Sequence, residues 1–186
     1  MIKLLTERLL IRDPIIDDLF EHHELMSNEK TMRYWQSSLT KNIDESRENL
    51  QKAIEEANSK NRKLYFLKIF NKLTNEYIGE IGYTVIKETP LGKIIGLGYA
   101  LKEKFWGKGF ATEATKKMIE FAFEKDNVYR ISAGCLKDNI GSENVMVKCG
   151  MIKEAEFKEY TFHENIMKDR VEYRLLKHEW KKYSFF

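Results

Sequence analysis

Apolar positions along the chain change their period several times, and each change marks an element. Leu9 to Arg12 reads as a short strand, ended by Pro14. Asp17 and Asp18 then precede Leu19, Phe20, His23 and Met26, an apolar stripe behind an acidic start that predicts a capped helix. A second helix is expected from about Asp44 to Ala57, striped by Leu50, Ala53, Ile54 and Ala57. From Leu64 onward the period shortens and aromatic and β-branched residues take over. Leu64 to Phe70, Tyr77 to Ile86 and Ile94 to Leu101 read as three strands, separated by the turn-forming stretches Asn71 to Asn75 and Glu88 to Lys93.

Helical spacing returns with Ala111, Ala114, Met118, Phe121 and Ala122. Tyr129 to Leu136 alternates again, with Ile131, Ala133 and Cys135 on one side. Asn139 and Ser142 then introduce a helix containing Val145 and Cys149, which Gly150 is placed to end in the left-handed conformation. Glu156 to Phe162 and Arg170 to Leu176 complete the pattern as two strands joined near Glu164 and Asn165. Strands, helix, strand, helix, strands: this order predicts a mixed α/β (α+β) fold, an antiparallel meander with one parallel crossover. Only two prolines and no low-complexity linker interrupt it, so a single domain spanning 1–186 is expected.

Composition narrows the classes. At 186 residues and 22.1 kDa the chain suits one full hydrophobic core, and 42% hydrophobic with 33% charged residues is ordinary for a soluble globular protein. The net charge of +3 is a near balance of 32 basic and 29 acidic side chains. Its lysines are scattered among glutamates, which argues against direct nucleic-acid binding. Cys135 and Cys149 make no disulfide framework and read as buried reduced thiols, fitting a cytoplasmic protein. The first twelve residues carry Glu7 and Arg8 and lack a signal-peptide pattern, and no run approaches the roughly 18 apolar residues of a membrane span. His22 and His23 are adjacent on a predicted helix, with only His23 on the stripe, and make a poor metal pair. No metal site is expected.

The segment from Lys104 to Ala114 carries the clearest chemistry. Gly107 and Gly109 flank Lys108 directly behind a strand and directly before a helix. Glycine lets the backbone turn and expose its N–H groups, and a helix N-terminus adds partial positive charge, so the order strand, glycine loop, helix makes an anion site. A phosphate or pyrophosphate is the expected ligand; a tight turn is the other reading of these residues alone. A P-loop would need a lysine and a hydroxyl residue after Gly109, where Phe110, Ala111 and Thr112 stand. A dinucleotide fingerprint would need glycine at Thr112.

Four stretches together resemble one family. They are Thr6-Glu7-Arg8-Leu9-Leu10-Ile11-Arg12, then Gly98 to Leu101 with Phe105 to Ala114, then Asp138 to Ser142 with Lys148 to Met151, and finally Arg170 to Tyr173 with Glu179-Trp180. In this order they are similar to the GNAT superfamily of acyl-CoA-dependent N-acyltransferases, in the branch of the ribosomal-protein N-terminal acetyltransferases. The resemblance implies a central, mostly antiparallel twisted sheet with helices on both faces, and acetyl-CoA as co-substrate. By the same resemblance, the main chain of Tyr99, Ala100 and Leu101 pairs with the pantetheine arm. The segment Trp106, Gly107, Lys108, Gly109, Phe110, Ala111 and Thr112 surrounds the pyrophosphate. Asn139 contacts the cofactor arm and also suits a helix N-cap. Ser142 stands near the departing thiolate and is the candidate proton donor, a capping residue being its plainer role. Lys102, Lys104, Lys108 or Lys116 would add charge near the 3′-phosphate, or are solvated surface lysines.

The chain also departs from the family. Met146 occupies the position of a tyrosine general acid, and Gly96 that of a glutamate general base. Lys104 replaces an arginine or glutamine and Met151 a phenylalanine. The base is therefore unassigned, with Glu80, Tyr83, Tyr160 and His163 as candidates. The implied reaction is direct attack of a primary amine on the thioester in a ternary complex, most naturally by a protein or peptide N-terminal α-amine. A polyamine or aminoglycoside acceptor is the alternative, and a CoA-binding protein without turnover is the alternative of another class. A monomer or homodimer is expected, and the acceptor pocket is expected from about Asp17 to Ser59 and Tyr160 to Lys168.

Overall fold

Hydrogen bonding links eight strands in the order β1-β2-β3-β4-β5-β6-β8-β7. In this computed structural model, which describes residues 1–183, they are β1 (Lys3–Leu5), β2 (Leu9–Arg12), β3 (Leu64–Asn71), β4 (Tyr77–Thr89), β5 (Gly92–Leu101), β6 (Val128–Leu136), β7 (Ile152–His163) and β8 (Ile166–Leu176). The helices are α1 (Leu19–Met26), α2 (Ile43–Asn58), α3 (Phe110–Lys125), α4 (Ile140–Lys148) and α5 (Lys177–Tyr183). The sheet is mostly antiparallel with one parallel pair, β5 with β6, as the change of period predicts. Among the described residues no helix is long and apolar enough to cross a membrane. The chain's contacts group it into two units, Met1–Thr84 with Gly98–Lys117, and Val85–Leu97 with Met118–Phe186.

In the first unit β2 pairs antiparallel with β1 and β3, and β3 with β4, in the registers Leu4↔Ile11, Ile11↔Ile69 and Leu67↔Ile81. The three-residue β1 was not legible in the sequence, because it is too short to show a period. Leu25, Met26, Met32, Phe70, Tyr77 and Ala100 form a buried cluster, with Leu10, Trp35 and Leu39 packed against it. α2 begins one residue earlier than expected because Asn42 caps it, accepting from the N–H groups of Asp44 and Glu45 at 3.1 and 2.9 Å.

The expected face of α1 is wrong. His22, Leu25 and Met26 are buried, whereas Phe20 is 76% exposed and His23 only half-buried. His22 turns inward because a buried carboxylate and ammonium wait for it, as described below. Asp18 does not cap α1 either: its carboxylate takes both terminal nitrogens of Arg12 at 2.8 and 2.6 Å and the Ile15 N–H at 2.8 Å.

In the second unit β6 pairs antiparallel with β8, in the register Ile131↔Leu175, Ala133↔Tyr173 and Cys135↔Val171. Its parallel register with β5 runs from Lys93↔Val128 to Gly96↔Ser132, so β5 continues five residues past the last registered pair. Glu164 and Asn165 make the β7–β8 turn with φ of 51° and 63°, the left-handed pair that a two-residue hairpin favours. Gly150 closes α4 at φ 77°, as its position predicts. On α3, Phe123 is buried and meets the Trp180 ring at 5.5 Å, while the expected Phe121 is only half-buried.

Candidate active site

The glycine loop is built as the sequence suggests. β5 ends at Leu101, a single 3₁₀ turn spans Glu103–Phe105, and α3 opens at Phe110. Gly107 and Gly109 adopt φ of 71° and 81°, where a side chain would strain the backbone. Around Gly107 a Cβ would meet nothing within 4 Å, so the loop faces open space. Gly109 gives its carbonyl to the Glu113 N–H at 3.0 Å, which places the N–H groups of Phe110 and Ala111 ahead of the helical ladder. Trp106 folds back and donates its indole N–H to the Leu101 carbonyl at 2.7 Å, tying the loop to the strand end. Phe105 and Phe110 meet edge to face at 5.9 Å beneath it. A backbone cradle of this kind fits an anionic ligand such as a diphosphate.

Of the four candidate lysines, Lys102 is paired with Glu24 and Lys104 with Glu76, each at 2.6 Å. Lys108 lies in the loop, its Nζ 5.8 Å from the Phe105 ring centre, and Lys116 is exposed on α3. Among the described residues no group of three His, Cys, Asp or Glu is placed to hold a metal ion.

Also in the first unit, a cavity of about 100 Å³ is lined by Met26, Trp35, Ser38, Asn49, Phe66, Glu80, Ile81 and Gly98. Gly98 directly precedes Tyr99 on β5, and Trp35 closes over it, 3.3 Å from where a Cβ would stand. Glu80 is the one ionisable residue in this lining. It sits on β4 opposite Lys68 of β3, and both are almost fully buried. Glu80 Oε1 accepts from the Lys68 ammonium, from the Tyr77 hydroxyl at 2.7 Å, and contacts His22 Nδ1 at 2.6 Å. Lys68 Nζ is 2.8 Å from the same His22 nitrogen. All these contacts converge on Oε1, and among the described residues Oε2 takes none. Burial alone would raise the Glu80 pKa, but Lys68 and His22 beside it prevail and hold the carboxyl far below the usual range. Lys68 is lowered, because burial outweighs the attraction of Glu80. Tyr77 is raised well above its ordinary value by burial and then by the carboxylate.

The other base candidates fare differently. Tyr83 is buried and stacked on Tyr65 at 4.3 Å. Tyr160 is 61% exposed on β7, and His163 is buried at the β7–β8 turn with Glu164 at 3.7 Å. Of the four, the cavity's lining includes only Glu80.

The remaining site candidates belong to the second unit. Asn139 caps α4, its Oδ1 accepting from the Ser142 N–H at 3.1 Å, while its backbone carbonyl takes the N–H groups of Ser142 and Glu143. Ser142 is half-buried in the first turn, and Met146 is buried. Gly96, where the family base would stand, has only Ile86 near its Cβ position, at 3.4 Å. Cys135 and Cys149 are buried and not joined in a disulfide, and burial pushes the Cys135 thiol up to about 11, keeping it protonated.

Residues 8–152 match the family model described as the acetyltransferase (GNAT) domain. The chain belongs to the GNAT acetyltransferase family. It is an acyltransferase of the acetyl-CoA-dependent type, and its fold agrees with that of solved family members. The uncharacterised N-acetyltransferase p20 of Bacillus licheniformis is 29% identical over 178 residues, covering 95% of this chain and 97% of that one. Two solved structures share the GNAT fold almost throughout. The ribosomal-protein-S5-alanine acetyltransferase of Vibrio fischeri has a TM-score of 0.82 at 20% identity, covering 97% and 99% of the two chains. The spermidine N-acetyltransferase of Vibrio cholerae, solved with CoA and spermine, has 0.81 at 19%, covering 95% and 99%. At these identities the two structures share the fold with this chain.

Two residues that contact Glu80 gave little warning in the sequence. Lys68 interrupts the apolar run Leu64-Tyr65-Phe66-Leu67-Lys68-Ile69-Phe70, and a lone lysine in a buried strand signals a buried partner. His22 lies off the stripe on which His23 was placed, and no local pattern marks it.

Proposed function

We propose that this acetyltransferase acts on a primary α-amine, the N-terminus of a protein or peptide, held in the cavity beside Gly98. The observation that carries the reading is Glu80: one carboxylate, its charge offset by Lys68, in a small cavity otherwise lined by neutral side chains. A single amine with a short substituent matches that lining. A polycation needs several carboxylates, and here the one present is already paired.

Acetyl-CoA supplies the acyl group as a thioester when bound. Tyr99, Ala100 and Leu101 would pair with its pantetheine arm, the backbone of Trp106, Gly107, Lys108, Gly109, Phe110, Ala111 and Thr112 would hold its pyrophosphate, and Asn139 would touch the arm. Glu80 Oε2 would accept a hydrogen bond from the neutral amine and aim its lone pair at the thioester. With its pKa held so low, Glu80 serves as an anchor and not as the general base. An α-amine, with pKa near 8, is roughly one-tenth neutral at pH 7, so the lost Gly96 carboxylate costs it less than it would a polyamine amine near 10. As the C–N bond forms and the C–S bond breaks, the amine would lose its proton to solvent, and Ser142 would hand its hydroxyl proton to the departing thiolate and regain one from solvent.

A thiol-release screen with acetyl-CoA decides the acceptor. Turnover is expected with peptides that begin with small residues, and little with spermidine or an aminoglycoside. Turnover confined to the polyamine would overturn the reading, and thermal stabilisation by CoA without turnover on any amine would favour a binding protein instead. Ser142→Ala is expected to lower kcat about a hundredfold. The variant keeps the cap bond from the Ser142 backbone N–H to the Asn139 side chain. Unchanged turnover would remove Ser142 from the chemistry.

A further inference from the structure

One arginine beside the glycine loop has a use that its structural contacts do not exhaust. Arg8 precedes β2, far from the loop in sequence, yet donates Nη1 to the Lys108 carbonyl at 3.0 Å. Its Nη2 lies 3.4 Å from where a Cβ on Gly109 would stand, and its Cζ is 4.4 Å from the Phe110 ring centre. Nε is fixed by Glu113 Oε2 at 2.6 Å. The other Glu113 oxygen takes the Arg8 N–H at 2.9 Å and the Thr6 hydroxyl at 2.5 Å. Burial would raise Glu113, yet Thr6 and Arg8 hold it below its ordinary value, so a carboxylate in the first turn of α3 stays charged and turned onto Arg8. Among the described residues Nη2 makes no hydrogen bond, and the side chain is 42% exposed.

The geometry points to Arg8 as a side-chain ligand for the donor's pyrophosphate, with Glu113 as its positioning residue. This rests on the acetyl-CoA reading of the loop. Guanidinium presents a rigid fork, so fixing Nε and Nη1 also fixes the direction of the two N–H groups on Nη2. They stand over the stretch of backbone where the loop turns and the helix begins. Lysine cannot serve two protein acceptors and a phosphate from one planar group. Glu113 also prevents a cost: an unpaired carboxylate in that first turn would repel a phosphate at the same helix end.

Calorimetry on the full chain tests this with three ligands: CoA, dephospho-CoA and pantetheine. Arg8→Ala is expected to weaken CoA and dephospho-CoA each by about tenfold or more, the loss of one charge-assisted hydrogen bond, and to leave pantetheine binding unchanged. Arg8→Lys should recover less than half of that loss on a logarithmic scale. Equal weakening of all three ligands would make Arg8 a structural residue and overturn the assignment. A loss confined to CoA would move it to the 3′-phosphate and overturn it as well. Failure of the acetyl-CoA reading looks different: wild-type protein would then bind CoA no better than pantetheine. Because Arg8→Ala also frees Glu113, the double variant with Glu113→Gln separates repulsion from a lost ligand. The CoA-selective loss should persist in it, and full recovery would refute direct ligation.

Discussion

Replacing Glu80 by alanine is expected to cost about 3–5 kcal/mol of folding stability and to remove turnover on the peptide acceptor. The stability loss follows from what remains. Lys68, 1% exposed, would keep an ammonium in the sheet with no carboxylate beside it, and the Tyr77 hydroxyl would lose its acceptor. Replacing both members of the pair, as in Lys68→Met with Glu80→Leu, should restore most of the stability, because a buried pair swapped for apolar side chains of similar size is often neutral. Activity should not return with it. Chemical denaturation of the two variants, read beside thiol release, separates the two roles: recovery of both would leave Glu80 a purely structural residue.

CoA should still raise the Tm of a folded Glu80 variant, since the glycine loop does not use this carboxylate. The pH dependence has a definite sign. Glu80 is lowered on folding, so its contribution is complete above the ordinary value of 4.5 and is lost as pH falls below it. A Glu80→Gln variant should therefore show a shallower fall of stability in acid than the wild type.

This cluster also shows where the sequence stops informing. The glycine loop was legible because its chemistry is local: strand, two glycines and helix start are neighbours in the chain, and so are Asn139 and the helix it caps. Glu80, Lys68, His22 and Tyr77 come from two strands and a helix, brought together by the register Lys68↔Glu80 and the packing of α1. The stripe on α1 failed for the same reason. Apolar periodicity favoured His23 and Phe20, whereas the helix is rotated so that His22 reaches a charge pair whose existence no local pattern reveals. Arg8 and Glu113, more than a hundred residues apart in sequence, met only when the fold was built. The glycine loop is written locally, and the charged side chains beside the cavity are assembled across the sheet.

Gly79→Ala is expected to damage both the fold and the strand that ends at the glycine loop. A Cβ at Gly79 would lie 2.2 Å from the Ala100 carbonyl oxygen and 2.7 Å from the Leu101 Cα. Both are backbone atoms of β5, so no side chain can rotate away, and the strand itself must move. Overpacking with flexible neighbours costs about 1–3 kcal/mol; against fixed backbone, at least about 3 kcal/mol is expected. Ala100 and Leu101 are the residues proposed to pair with the pantetheine arm, so any folded Gly79→Ala protein should also bind pantetheine more weakly. Gly107→Ala is the control. It meets nothing within 4 Å but sits at φ 71°, so it should cost only about 1 kcal/mol of backbone strain. Its binding loss should appear with CoA and not with pantetheine, whereas Gly79→Ala should weaken both. Urea denaturation and calorimetry on the two variants thus probe the two halves of the proposed donor site separately. Equal stability losses would mean that β5 yields to the new methyl group, and the close approach of β4 to Ala100 would then have no role in holding the pantetheine strand.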